Sequence, residues 1–293
     1  MNLLITGASG YLGSALALHL LAAGHRVALL LRPASQLSRL RGRESAFSLG
    51  RCETDEEIQE FISRIEPDAV IHTACAYGRQ GESLVTINDA NLRFGLVILQ
   101  AVVSVKKPVT FINTGTALEA NVSPYALTKH KFAQWGRILA SQPANQLRFV
   151  NVLLQHMYGP GDDPSKFTTH VLNTCHRNEP NLKLTAGEQK RDLIYIDDVV
   201  SAYSTLLEKR NDLVSTVDIE VGSGEAPSIR EFVQTVHKLT ASKTELQFGA
   251  LPYRPNEPLH LQADISQMNA LGWQPKFNLE RGLRRTLELE YNG

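Results

Sequence analysis

Short apolar runs alternate along the chain with longer stretches whose apolar positions recur every three to four residues. Runs at 3–6, 27–31, 69–72, 109–113 and 148–154 are mostly apolar and read as strands buried on both faces. Between them, 10–23, 56–65, 91–105 and 124–140 read as helices. Such alternation implies right-handed crossovers, hence a doubly wound α/β fold whose parallel sheet carries helices on both faces. The rhythm breaks after "YGPGDDP". A helix at 166–177 follows, then the loop "NEPNLKLTAGEQKRD", a strand and helix over 193–207, and a strand, glycine turn and helix in "IEVGSGEAPSIREFVQTVHKL". With neither a repeat nor a linker in view, two interleaved domains are expected: 1–160 with 192–222 around the sheet, and a smaller one from 161–191 with 223–293.

Where the first run ends, "TGASGYLG" packs Gly7, Gly10 and Gly13 into seven residues before a helix. A strand turning sharply into a helix needs backbone angles that a side chain resists, which Gly7 supplies. Gly10 lets a phosphate approach the backbone, and Gly13 allows the helix to lie close to the strand. The N–H groups of the first helical turn then face a pyrophosphate, so the stretch from Gly7 through Ser9, Gly10, Tyr11, Leu12 and Gly13 is expected to hold a dinucleotide. The second strand decides which one. A carboxylate at its end would accept the adenosine ribose hydroxyls, but "ALLLRPAS" puts Arg32 there. A guanidinium suits a phosphate, and Ser35 lies close in sequence, so NADP(H) is favoured over NAD(H). The alternative is an ordinary solvated arginine.

A second constellation is "SPYALTKHK", where Tyr125 and Lys129 share a helix face, Ser123 caps the helix and Pro124 suits its first turn. An unaided phenol ionises near pH 10, so acid–base work at neutral pH calls for a cation to stabilise the phenolate, and Lys129 is the expected one. Just upstream, "FINTGTA" closes a strand with Thr114 and Thr116, whose hydroxyls could address the same carbonyl oxygen as Tyr125.

Composition narrows the partners. Lys plus Arg equals Asp plus Glu at 30 each, so no overall field favours nucleic acid or an anionic membrane. Cys52, Cys75 and Cys175 form neither a disulfide framework nor a CxxC pair, and no metal is called for. A reducing, cytoplasmic setting is expected. Neither a cationic leader nor an uninterrupted apolar run of about eighteen residues is seen.

Taken with "VIHTACAYGR", "HMYGPGD", "GEQKRDLIYIDDVVSAY" and "RPNEPLHLQADISQMNALGW", these motifs resemble the extended short-chain dehydrogenase/reductases, in their nucleotide-sugar (epimerase/dehydratase) branch, nearly end to end. The resemblance implies a Rossmann-like domain carrying the catalytic set Thr116, Tyr125 and Lys129, with Asn91 as an asparagine the family keeps in the preceding helix. It also implies cofactor contacts from Thr73, Ala74, Cys75 and Thr114. Arg191 and Arg254 match arginines that hold a sugar nucleotide's diphosphate, with Glu257 toward the ribose. The bland reading of Arg191 is a surface arginine paired with Asp192. Within the branch, "CAYGR", "KFTTHVLNTC" and "EVGSGEAPSIREFV" look most like the CDP-paratose and CDP-abequose synthases of O-antigen assembly, a group of 4-ketoreductases.

That likeness implies NADPH-dependent reduction of a CDP-4-keto-3,6-dideoxysugar, with Tyr77, Arg79, Lys166 and Phe167 lining the sugar pocket or, alternatively, packing loops for stability. Two departures stand out. Only eight residues separate Thr116 from Tyr125, which implies an open loop before the tyrosine, and the acid pair of the 4,6-dehydratases is replaced by Ala117 and Leu118. A 4-epimerase that keeps NAD bound and a non-catalytic NADP(H) sensor are the competing readings. Leu96, Leu99, Phe132 and Trp135 exceed what one sheet face needs, and the resemblance suggests a homodimer on those helices, although simple sheet cover would look the same.

Overall fold

The computed structural model describes residues 1–79, 81–254 and 257–291. In chain order come β1 (Asn2–Thr6), α1 (Tyr11–Ala22), β2 (Arg26–Leu31), β3 (Ser48–Arg51), α2 (Asp55–Ile65), β4 (Ala69–His72), α3 (Leu84–Asn88), α4 (Phe94–Ser104), β5 (Val109–Thr114), α5 (Pro124–Ala140) and β6 (Leu147–Leu154). Then follow β7 (His156–Tyr158), α6 (Phe167–His176), β8 (Asn181–Leu184), β9 (Lys190–Arg191), β10 (Leu193–Tyr195), α7 (Ile196–Glu208) and β11 (Thr216–Val221). Last are α8 (Ile229–Leu239), β12 (Glu245–Phe248), β13 (His260–Leu261), α9 (Ser266–Ala270) and α10 (Leu279–Tyr291).

Contacts divide the chain into two compact units, Met1–Leu153 with Tyr203–Ile219, and Leu154–Ala202 with the residues from Glu220 onward. The division falls at Leu153 rather than at 160, and 192–202 belongs with the second unit. Two buried carboxylates account for that. Asp192 accepts from the Ser223 and Gly224 amides, and Asp198 from those of Lys276 and Phe277.

A seven-stranded sheet runs in the order β11-β6-β5-β4-β1-β2-β3, and the pairings from β3 through β6 are all parallel. The doubly wound fold expected from the alternation is therefore present. Its strands bury Leu4, Leu30, Val70, Phe111 and Phe149 against Ile58 and Ile62 of α2, Ile98 and Leu99 of α4, and Phe132 of α5. Leu99 and Phe132 thus serve the core. Outward on α5 are Trp135, 49% exposed, and Ile138, 53% exposed.

Several elements depart from the sequence expectation. The stretch 178–192, read as a loop, holds the short strands β8 and β9, which pair with β12 and β13 far along the chain rather than with sequence neighbours. β3 carries no apolar run, because as an edge strand it buries only Gly50, whose missing side chain admits the Phe61 ring. The stretch read as one helix over 91–105 is α4 preceded by a π-helical turn, Asp89–Arg93. Among the described residues no helix is long and apolar enough to cross a membrane.

Candidate active site

In the first unit the site begins where β1 ends. Gly7 adopts φ +72°, and a Cβ there would lie 2.6 Å from both the Ala74 amide nitrogen and Thr73 Oγ1. The Gly10 amide donates to the Gly7 carbonyl at 2.9 Å, closing the turn. At Gly13 a Cβ would run into the Gly7 carbonyl and come within 2.8 Å of Thr73 Oγ1. Gly10 stands at the helix cap without a side-chain hydrogen bond, and no acidic residue occupies the first turn of α1. An uncapped helix start behind a bare backbone cradle favours an anion, so these residues fit a dinucleotide pyrophosphate.

The neighbouring strand braces this cradle. Thr73 Oγ1 donates to the Thr6 carbonyl at 2.7 Å, and the Ala74 amide donates to Thr6 Oγ1 at 3.4 Å. Beyond them the loop after β4 is held by Asn91, which is fully buried in the π-helical turn. Its Oδ1 accepts from the Ala76 amide at 2.7 Å, and its Nδ2 donates to the Ala76 carbonyl at 2.9 Å and to Thr128 Oγ1 at 3.0 Å. Asn91 therefore ties the Cys75–Tyr77 loop to α5, the helix that carries Tyr125 and Lys129. Sequence reasoning missed Thr128, since its role depends on a partner 37 residues away.

Helix α5 starts as predicted, with Ser123 Oγ accepting from the Ala126 amide at 3.2 Å and Pro124 in the first turn. The Tyr125 ring lies against that of Tyr77, centroids 4.9 Å apart at 33°, and the Arg79 guanidinium carbon is 5.0 Å from the Tyr77 centroid. Arg79, Tyr77 and Tyr125 form a layered stack. Burial drives the Tyr125 phenol well above the ordinary tyrosine value and Cys75 adds to the rise, while a hydrogen bond from Thr116 and the Arg79 charge pull the other way. The spacing predicts that Lys129 lowers this pKa; on balance the value is raised, because dehydration of the phenol outweighs the Thr116 hydrogen bond and the Arg79 charge. Lys129 itself is 2% exposed, its ammonium is pulled down from the usual lysine value by burial, and Nζ meets no hydrogen-bond acceptor among the described residues. A buried cation without an acceptor is unstable unless a ligand supplies one, which fits a site for ribose hydroxyls.

Thr116 is buried beside Tyr125, whereas the Thr114 hydroxyl is taken up by the Tyr203 hydroxyl at 2.7 Å, a partner invisible at a separation of 89 residues. Arg32 is exposed just past β2, and Ser35 is partly buried with its amide donating to the Arg32 carbonyl at 3.0 Å.

In the second unit Arg191 is 6% exposed and Nη2 lies 2.9 Å from Glu257 Oε1. The Arg254 amide donates to Glu257 Oε2 at 3.3 Å. Arg191, Arg254 and Glu257 are thus brought together, and the Glu257 carboxylate is engaged by the Arg191 guanidinium and the Arg254 amide. Asp192 takes no part in pairing Arg191. It is fully buried, accepting also from the Ser223 hydroxyl at 2.8 Å and the Ala263 amide at 3.2 Å. Lys166 Nζ pairs with the buried Asp162 at 2.9 Å, and the Phe167 ring lies 6.0 Å from that of Phe232.

The NAD dependent epimerase/dehydratase family matches residues 3–222. Among known proteins, the chain is 30% identical over 297 residues to the CDP-abequose synthase of Salmonella typhimurium, covering 97% of each. It is 22% identical to a UDP-glucose 4-epimerase of Neisseria meningitidis over 95% of this chain and 94% of that one. Among solved structures, the UDP-glucose 4-epimerase of Thermotoga maritima with UDP-glucose superposes with a TM-score of 0.85 at 23% identity, covering 99% of this chain and 98% of that one.

Proposed function

The chain belongs to the NAD dependent epimerase/dehydratase family, and within it we propose an NADPH-dependent reductase of the C4 ketone of a nucleotide-activated deoxysugar, a CDP-4-keto-3,6-dideoxyglucose type substrate being favoured. The observation that carries this reading is Tyr125. A phenol whose surroundings hold its proton tightly, hydrogen-bonded to Thr116 and four residues along α5 from an ammonium that meets no acceptor among the described residues, is set to give that proton to a nascent alkoxide. The substrate class is supported by the 30% likeness to a CDP-abequose synthase, and a place in O-antigen deoxysugar assembly is part of the same proposal.

The reduced nicotinamide, when bound, supplies hydride to the ketone carbon. Thr116 orients the carbonyl oxygen, and Tyr125 donates its proton to that oxygen as charge gathers there. Lys129 holds ribose hydroxyls of the cofactor, and its charge favours the phenolate that remains after the transfer. Gly7, Ser9, Gly10, Tyr11, Leu12 and Gly13 receive the pyrophosphate, Thr73, Ala74, Cys75 and Thr114 flank the cofactor, and Arg32 with Ser35 takes the 2′-phosphate. Tyr77 and Arg79 meet the sugar. In the second unit, Arg191 and Arg254 address the diphosphate, with Glu257 repositioned from Arg191 toward the ribose. Trp135 and Ile138 of α5 are given to a second copy of the chain.

The test follows NADPH consumption with CDP-, dTDP-, GDP- and UDP-4-ketosugars and assigns the product configuration at C4 by NMR. Stoichiometric NADPH oxidation with a CDP-4-ketosugar is expected. Purification with tightly held NAD, and interconversion of two sugars without net NADPH use, would overturn the reading in favour of an epimerase.

A further inference from the structure

Between 32 and 51 the chain carries five arginines, Arg32, Arg39, Arg41, Arg43 and Arg51, against one acid, Glu44, in a protein of zero formal charge. The fold concentrates three of them beside the glycine turn. Pairing of β1 with β2 sets Thr6 opposite Leu30, so Arg32 emerges next to the turn that begins at Gly7, and pairing of β2 with β3 sets Arg51 opposite Leu31. From there Arg51 Nη1 donates to both the Pro33 and the Ser35 carbonyls, each at 2.9 Å. Its guanidinium therefore pins the backbone that presents Arg32 and Ser35. Arg39 sits on a short turn packed against α1, with its guanidinium carbon 5.4 Å from the ring centroid of Tyr11, the first residue of that helix.

None of the ion pairs among the described residues involves Arg32, Arg39 or Arg51. Guanidinium groups outside any of these ion pairs, carried on segments beside one end of a dinucleotide cradle, are suited to a phosphomonoester dianion, because each can offer paired donors in a fixed plane. A single arginine can neutralise half of such a charge, whereas two match it. Tyr11 restricts where the Arg39 head group can go, so that the ring serves as a platform for it.

We propose that Arg39 is a second ligand of the adenosine 2′-phosphate and that Arg51 is the positioning residue that fixes the turn carrying Arg32. Preference for NADP(H) is then divided among three arginines. The inference rests on the NADP(H) reading above and deepens it.

Equilibrium titration of the whole protein with NADP⁺ and with NAD⁺ tests both, using wild type, Arg39→Met, Arg51→Met and Arg51→Lys, with thermal melting as the folding control. Wild type is expected to bind NADP⁺ more tightly. Arg39→Met should weaken NADP⁺ by about tenfold, leave NAD⁺ unchanged and flatten the salt dependence of NADP⁺ binding. Arg51→Met should also weaken NADP⁺ selectively, and Arg51→Lys should recover part of the loss, since an ammonium can still donate to the two carbonyls. If wild type prefers NADP⁺ and all variants keep that preference, the inference is overturned while the cofactor reading stands. Equal weakening of both dinucleotides overturns it as well, by assigning the arginines to packing. No wild-type preference for NADP⁺ overturns the cofactor reading, and the inference with it.

Discussion

His72 offers a sharp test of how the floor of the cofactor site is built. It lies at the end of β4, fully buried, with Nδ1 sharing a 2.8 Å hydrogen bond with Thr6 Oγ1. Rings surround it, with centroids at 5.2 Å for Phe132, 5.7 Å for Phe111 and 6.0 Å for Phe94. Burial holds its pKa well below the usual histidine value, and the Lys129 charge lowers it further. The unfolded chain therefore binds a proton below about pH 6.5 that the native protein refuses, so the native state loses stability as pH falls through that point. The slope is one proton's worth, about 1.4 kcal/mol per pH unit, for as long as the pH stays above the native pKa. Between pH 6.5 and 5.0 that amounts to at most about 2 kcal/mol.

The perturbation is His72→Gln, which keeps an amide for Thr6 and cannot titrate in this range. Urea unfolding at pH 7.5, 6.5, 5.8 and 5.0 gives the stability of each protein. Any fixed penalty of the substitution appears at every pH and cancels when slopes are compared. Wild type should lose more stability than the variant across the acid interval, by up to about 2 kcal/mol. Equal slopes would refute the reasoning and mean that His72 is protonated in the folded protein or that its unfolded pKa is far from ordinary.

Three further outcomes follow from the site. Tyr125→Phe removes the hydroxyl proposed as proton donor but keeps the ring, so kcat for the proposed ketone reduction should fall by roughly 10²–10⁴-fold while NADP⁺ affinity measured by titration is retained. Gly13→Ala places a methyl group against the Gly7 carbonyl and Thr73, so unfolding free energy should fall by about 1–3 kcal/mol and dinucleotide binding should weaken, both readable by denaturation and titration. Asn91→Leu strips the Ala76 amide and carbonyl of their partner, a loss of about 1–3 kcal/mol for each group left unsatisfied, and should lower the melting temperature and kcat together.

What could be read in advance was whatever depends on neighbours in sequence. The glycine turn, the Ser123 cap and the shared face of Tyr125 and Lys129 lie within a few residues of one another, and strands buried on both faces advertise themselves as apolar runs. β3 was not legible because an edge strand has little to bury. Asn91 could be placed by likeness to relatives, but its grip on Ala76 and Thr128 arises only when the π-helical turn meets α5. Glu257 illustrates the limit differently. Its residue type suits a ribose, yet 66 positions away Arg191 claims it, and no local pattern encodes that choice. The Tyr125 pKa went the other way from expectation because sequence shows which charges are nearby but not how much water is left.

The long gap between β6 and β11, its hydrogen-bonded neighbour in the sheet, has a consequence for synthesis on the ribosome. Translation at about 5–20 residues per second separates the appearance of the two strands by several seconds. During that interval the nascent sheet presents β6 as an open border of unpaired amides and carbonyls, a template for pairing with a neighbouring nascent chain. Slower elongation across 155–215 lengthens that exposure, so codon choice in this stretch should influence how much of the protein reaches its native state.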